Sequence, residues 1–494
     1  MYQQCEHSGS DLLEFSNVIG RLIMTTSRRK FLKQSSLAGL GFVGLNTCLL
    51  SGCQLNAEAE NLQSKPRRDK QQILDLPAGF TAGVISRKGD RMQDGFLTPG
   101  SHDGMGMFSL GADKLLIIRN HELTPGAFEE GPFGTKNQLL KKVNKSLVYD
   151  VAGASDRACV GGTTTLVYDE RRQRVDMAYL SLVGTVRNCS GGATPWNSWI
   201  SCEETAVKKG DERGLLEKDH GYNFEVPASS KISLSTPQPL KAMGRFVHES
   251  IAVHPASGVV YQTEDLADGL FYRFIPNTPG ELQMGGKLQC LAIRNWKSAD
   301  TRNLLNQSKE LFPQNTPFET SWIDLENVES PENDLRIRGC LKGAAIFTCG
   351  EGMTIGNREV YFTCSNGGQS GKGQIFKYIP STFEGQPGED KFPGTLELFV
   401  ESKTHETFRY CDNITMAPWG DLVICEDCSD ARIIGITPAG KAYVIATNIG
   451  YRTSEFAGPV FSPSGKTLFV NIQNPGLTLA ITGPWNKLAD PTST

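Results

Sequence analysis

Val253-His-Pro-Ala-Ser-Gly-Val-Val-Tyr261 is a short apolar run, a turn built on proline and glycine, and a second run of β-branched and aromatic residues. Proline presets φ at the front of a turn and glycine tolerates the positive φ that closes it, so the pattern predicts a tight β-hairpin. It returns as Met416-Ala-Pro-Trp-Gly-Asp-Leu-Val-Ile424 and as Phe461-Ser-Pro-Ser-Gly-Lys-Thr-Leu-Phe469. Two further segments, Leu166–Val175 and Met353–Phe362, follow the outline without proline. No helical period of comparable length appears between them. Hairpins recurring at intervals of tens of residues predict an all-β fold, a β-propeller with inserted loops at 296–335, where Asn, Ser and Pro are scattered without period. A pair of β-sandwiches is the alternative arrangement.

Composition agrees with a turn-rich globular chain. Of 494 residues, 39% are hydrophobic, 52 are Gly and 25 are Pro, which suits neither a helical bundle nor a disordered chain. Fifty basic and fifty-four acidic residues leave a formal net charge of -4 with no basic stripe, so no nucleic-acid partner is expected.

The N-terminus speaks to location. Ser27-Arg28-Arg29-Lys30-Phe31-Leu32-Lys33 precedes a mildly apolar, Gly-containing run from Leu37 to Leu50 that is too short to span a bilayer. This is the pattern of a twin-arginine export signal, with translation starting at Met1 or Met24. Leu50-Ser51-Gly52-Cys53 then looks like a lipobox whose cysteine becomes an acylated N-terminus; an ordinary small-residue cleavage site is the other reading. The expected organisation is a signal region at 1–53, a polar tether at 54–73 and one catalytic propeller domain at 74–494. The expected location is the periplasm or cell surface, with membrane contact only through a lipid anchor at Cys53, and the expected state is a monomer.

The chemistry-bearing residues gather in short clusters. Arg187-Asn-Cys-Ser-Gly-Gly-Ala-Thr-Pro-Trp-Asn-Ser-Trp-Ile-Ser-Cys-Glu-Glu204 holds two cysteines, two tryptophans and two adjacent carboxylates. On a strand, alternation turns one of Glu203 and Glu204 inward, and a buried carboxylate needs a cation or a donor. Further groups occur at Arg119-Asn-His-Glu122, Arg245-Phe-Val-His-Glu249, Thr263-Glu-Asp265, Glu351-Gly352, Cys411-Asp-Asn413 and Glu426-Asp427. A propeller brings equivalent strand ends to one mouth of its channel. Hard oxygen donors of this kind suit calcium, whereas a thiolate such as Cys189 suits iron or another transition metal. Cys425-Glu-Asp-Cys428 is a C-x-x-C without a partner pair and supports neither a zinc nor a redox motif. No Gly-x-Ser-x-Gly nucleophile elbow is present.

The run Asn188–Glu204, with Gly244-Arg-Phe-Val-His-Glu249, Tyr261-Gln-Thr-Glu-Asp265, Glu455-Phe-Ala-Gly-Pro-Val-Phe-Ser-Pro463, Asn471-Ile-Gln-Asn-Pro-Gly476 and Gly483-Pro-Trp485, resembles the PhoX-type alkaline phosphatases. The resemblance spans most of the chain beyond the signal region. It implies a six-bladed propeller with calcium and iron at its mouth, exported by the twin-arginine route, that hydrolyses small phosphorylated substrates. It further implies Cys189 as an iron ligand and Glu203, Glu204, Glu249, Glu264, Asp265 and Glu351 as metal-binding carboxylates; the strand-end clusters add Asn120, Glu122 and Asp412 as expected ligands. Cys189, Glu204, Glu264 and Glu351 are the expected catalytic set.

One departure stands out. Where that family carries an arginine to clasp phosphate, Phe347-Thr-Cys-Gly-Glu-Gly352 has Cys349. Arg245 and Arg409 are the candidate replacements. Cys349 itself reads as packing, as a disulfide partner of Cys340 or Cys364, or as an added thiolate. Two functions follow: a metal-dependent phosphomonoesterase, or a catalytically silent calcium-binding propeller that holds a ligand or partner at the same mouth.

Overall fold

The structure is a computed structural model that describes residues 67–68, 72–111, 113–152, 158–307 and 310–489. The signal region 1–53 and most of the tether lie outside the described residues. The fold is all-β, antiparallel sheets in a β-propeller-like arrangement, rather than a pair of sandwiches. Among the described residues no helix is long and apolar enough to cross a membrane.

Five hydrogen-bonded sheets make up the body: one of nine strands, one of six, two of four and one of three. Six strands lie at sheet edges and face one another: His102–Ser109, Asn188–Ala193, His248–Val253, Gly350–Ile355, Cys411–Met416 and Phe456–Phe461. Each touches the next and the last touches the first, which closes a ring around a channel. These inner strands approach so closely that side chains are excluded at the contacts. A Cβ on Gly104 would meet Ser190 Cα at 2.7 Å, and one on Gly352 would meet Asn413 Cα at 2.7 Å. Beyond this pinch the later residues of the inner strands, among them Met105, Ile251, Met353 and Ile414, line a cavity of about 500 Å³.

The three proline hairpins join an inner strand to the second strand of its sheet. His254, Ala417 and Ser462 donate across the turns to Val259, Asp421 and Thr467, the last contacts before each pair of strands separates. Met353–Phe362 makes the same connection, whereas Leu166–Val175 joins the outer two strands of its sheet.

Behind the inner ring the sheets pack through apolar side chains. Ile200, Phe246, Tyr272 and Leu288 fill one layer, and Phe271, Phe347, Phe362 and Phe376 fill another, with Phe271 stacked on Phe362 at 4.4 Å between centroids. Closure uses both ends of the domain: Thr81–Arg87 pairs with Leu477–Thr482 as the outer strand of the C-terminal sheet. A sheet assembled from distant parts of the chain has no exposed inner edge to slip.

Two expectations about segments change. Residues 296–335 are not all loop, because Phe318–Asp324 is a strand bridging the strands Gly286–Ile293 and Thr395–Glu401; it carries alternating Phe318, Thr320 and Trp322, a period too short to stand out. The tether is shorter than 54–73, because Arg67–Arg68 pairs with Leu74–Leu76 and Ile73 is buried in the core.

The closing strand offers a test of how the ring is held. Leu479 is fully buried and sits opposite Val84. Leu479→Ala is expected to cost about 2–5 kcal/mol, read as a lowered denaturation midpoint with an unchanged m-value in the metal-loaded protein.

Candidate metal centre

All six inner strands carry an irregularity at the same place. The ladder between inner and second strand breaks register between His102 and Met105, Asn188 and Gly191, His248 and Ile251, Gly350 and Met353, Cys411 and Ile414, and Ala457 and Val460. A β-bulge adds one residue on one strand and re-aims its side chain. The re-aimed residues are Asp103, Cys189, Glu249, Glu351 and Asp412; in the sixth strand the matching residue by strand position, Ala457, still pairs with Asn471 and the break follows it. The facing position on the second strand, one residue past the last pair, is occupied by Glu122, Glu204, Asp265, Ser365, Asp427 and Gln473 in the same order. Twelve equivalent positions thus supply eight carboxylates and a thiol, and Glu455, just before the sixth inner strand, adds one more acid.

Nine of these groups converge. Ligand atoms of Cys189, Glu204 and Glu249 lie within 4.8 Å of one another, as do those of Glu249, Glu351 and Asp412, of Asp412, Asp427 and Glu455, and of Asp103, Glu122 and Glu455. Shared members link the four groups into a chain, and Arg187 joins its ends, donating to Glu204 at 2.5 Å and lying 3.2 Å from Glu122. The result is a ring of eight acids and one thiol, with the Arg187 guanidinium in direct contact.

Such a ring is costly without cations. Two like charges 4.8 Å apart repel by about 3 kcal/mol even at an effective dielectric constant of about 20. Burial and then Glu122 and Asp412 push the Asp103 carboxyl well above the usual carboxylate range. Burial, Glu351 and Glu204 do the same to Glu249; burial and Asp427 do it to Glu455. The Cys189 thiol is raised by burial and by Glu249. Glu204 and Glu122 hold Arg187 in its charged form.

A second layer fixes the ring. Asn120 donates to the Ser190 carbonyl and accepts from Trp199 Nε1 at 2.9 Å and Ser201 Oγ at 3.0 Å, so it steadies the strand bearing Cys189. Gln473 Nε2 donates to both Asp103 and Glu122. Ser365 Oγ donates to Glu351 at 2.6 Å, and Thr263 Oγ1 donates to the Glu351 carbonyl at 2.6 Å.

Of the expected ligands, Cys189, Glu204, Glu249, Glu351, Glu122 and Asp412 meet in these groups. Glu203 and Glu264 do not. Each is the last residue of a second strand, and alternation turns it away from its ring-facing neighbour into the sheet behind. Glu203 accepts from Val186 N, Gly221 N, Tyr222 N and His220 Nδ1. Glu264 accepts from Leu270 N and the Tyr272 hydroxyl, and burial pushes its carboxyl up to about 7. Glu426 is their equivalent, tied to Arg409 and Arg432. Asp265 occupies a ring-facing position and is 9% exposed, but belongs to none of the four groups. Asp103, Asp427 and Glu455 complete the ring. Asp103 escapes a search for paired acids because it stands alone in His102-Asp-Gly104; only its bulge marks it as the equivalent of Glu249.

Neither replacement arginine is free. Arg245 is buried and donates to the carbonyls of Ala206, Val207 and Ser330, while Arg409 is held by Glu426 and the Asp430 carbonyl. Cys349 is buried, takes a positive φ of 47°, and accepts from Asn366 Nδ2 at 3.1 Å. No disulfide links any two of the ten described cysteines.

The model of a family described as "Alkaline phosphatase PhoX" matches residues 61–476. The chain belongs to the PhoX alkaline phosphatase family. Among solved structures, PhoX of Pseudomonas fluorescens in complex with vanadate, a transition state analogue, superposes with a TM-score of 0.59 at 16% identity, over 85% of this chain and 97% of that one. At that identity the likeness speaks for the fold, and the PhoX membership rests on the family match. A gluconolactonase of Xanthomonas campestris is more distant, at a TM-score of 0.37 and 11% identity over 83% of this chain and 97% of that one. No curated protein matches in sequence.

The electrostatics of the PhoX ring set a pH dependence. Carboxyls whose folded pKa lies above the unfolded value bind more protons in the native state, so stability falls as pH rises. Metal-free protein is therefore expected to lose stability on going from pH 5 to pH 8, with no such loss below the ordinary carboxylate range. Saturating calcium is expected to flatten or reverse the slope, as urea denaturation at each pH measures.

Proposed function

We propose that this chain is a calcium- and iron-dependent phosphomonoesterase acting on small phosphorylated substrates. The observation that carries this reading is the ring of eight carboxylates and one thiol with a single arginine, a charge balance that only bound cations correct. Its donors fit those ions: carboxylate oxygens from Glu351, Asp412, Asp427, Glu455, Asp103 and Glu122 suit calcium, while Cys189 with Glu204 and Glu249 suits iron. In this reading the sheets form six blades, the nine-stranded sheet being two blades joined where the strand 318–324 meets 395–401.

Bound cations supply electrophilic stabilisation of the phosphate oxygens and of the leaving group. The protein's own residues preset where those ions sit. The bulges aim five ligands from five inner strands into one ring, and Arg187 orients Glu122 and Glu204 from one side. Gln473 and Ser365 lock Asp103 and Glu351, so ligand positions do not relax when charge redistributes during reaction. The remaining face of the ring is left to substrate, and Arg187 is the one guanidinium already beside it.

The proposal extends to export by the twin-arginine route to the periplasm or cell surface, with the monomer tethered by lipid at Cys53. Folding before export suits a centre whose acids need metal to settle.

Hydrolysis of p-nitrophenyl phosphate by protein loaded with calcium and iron is expected, with loss on chelation. Glu249→Gln and Cys189→Ser are each expected to lower kcat/KM by about 100-fold or more, because Glu249 belongs to two ligand groups and Cys189 is the only soft donor in the ring. Full metal loading without turnover would instead support the silent calcium-binding propeller, the reading that the missing family arginine favours. Cys349→Arg is expected to lower KM for phosphate monoesters by up to about 10-fold through a restored cation at the mouth. An unchanged KM in a folded variant rejects that role.

A further inference from the structure

Away from the ring, a second set of donors meets in the interior. Asp150, Cys159 and His220 come from three separate segments, are 0%, 1% and 0% exposed, and bring one ligand atom each within 4.8 Å of the others. None of them is a member of the acidic ring.

The hydrogen bond between His220 Nε2 and Asp150 Oδ2 is long, at 3.4 Å against the roughly 2.7–2.9 Å of a charge-assisted contact. That distance matches the separation of two ligands on one tetrahedral ion, about 3.3–3.4 Å for metal–ligand bonds of about 2.0–2.1 Å. The other ring nitrogen, Nδ1, lies 2.6 Å from Glu203 Oε1. A carboxylate behind a histidine in this way is how protein metal sites fix the ring and the tautomer. The Asp150 carboxylate is oriented too: Oδ2 accepts from Glu217 N and Lys218 N, each at 2.8 Å, and Oδ1 accepts from Ala152 N.

We propose that Asp150 Oδ2, Cys159 Sγ and His220 Nε2 bind one Zn²⁺-class ion, with Glu203 as the outer carboxylate on His220. One oxygen, one sulfur and one nitrogen are the mixed, borderline-soft donor set that zinc accepts, and water completes a fourth position. On binding, the thiol gives its proton to solvent and His220 keeps only the Nδ1 proton that faces Glu203. Glu203 directly precedes Glu204 in the strand end that feeds the ring, so the ion would brace one ring ligand from behind. In this way Glu203 serves a metal after all, but a different one and from its outer shell.

Crystals of the full chain grown with calcium, iron and zinc chloride decide the matter. An anomalous difference peak at the zinc edge is expected within bonding distance of the three named atoms. No peak there overturns the site. In solution, Cys159→Ser and His220→Asn are each expected to remove one equivalent of zinc that survives dialysis, measured by elemental analysis. A folded Cys159→Ser variant with unchanged zinc content overturns it equally. Where neither variant folds, the wild-type crystals still give the answer.

Discussion

Mutual repulsion among buried acids is the constraint on which this molecule is organised. Eight carboxylates and a thiol linked by contacts of 4.8 Å or less do not stay together by their own chemistry. They are held by a scaffold that has no softer alternative: six inner strands pinched so tightly that several contacts admit only glycine, each fixed from behind by an apolar layer. Rigid placement of repelling groups is a stored demand for cations, and that demand is the physical content of the site.

The bulge is the device that converts sheet geometry into coordination geometry. A regular inner strand would send alternate side chains along the channel wall. One extra residue near the start of each inner strand turns a side chain out of that alternation toward the mouth, and repetition makes the turned side chains meet. The second strand contributes the facing residue one step past its last pair. This explains why adjacent acids divide their labour. In Glu203-Glu204 and Glu426-Asp427 the second residue enters the ring, and the first satisfies backbone amides or arginines in the sheet behind.

The same division bears on the missing arginine. The position where the family resemblance implies a phosphate-clasping arginine holds a buried thiol, and the two other arginines considered are bound to carbonyls or to Glu426. Arg187 is then the guanidinium best placed beside the ring, although two carboxylates already share it. Any substrate selected by this mouth meets more acid and less base than composition suggests.

The hairpins were legible in the sequence because turn chemistry is local. Proline and glycine at fixed offsets determine a tight turn whatever surrounds it, so Val253–Tyr261, Met416–Ile424 and Phe461–Phe469 announce the β architecture by themselves. The resemblance carried by Asn188–Glu204 and its companions likewise reached the family and four members of the ring, Cys189, Glu204, Glu249 and Glu351. What residue order alone could not decide is which member of an acidic pair faces the ring, or that solitary Asp103 belongs with Glu249. Those choices depend on strand register and bulge position within each hairpin, which are fixed only where the inner strands pack against one another in the ring. A one-residue shift there reverses every side chain, and only the closed ring of strands fixes it.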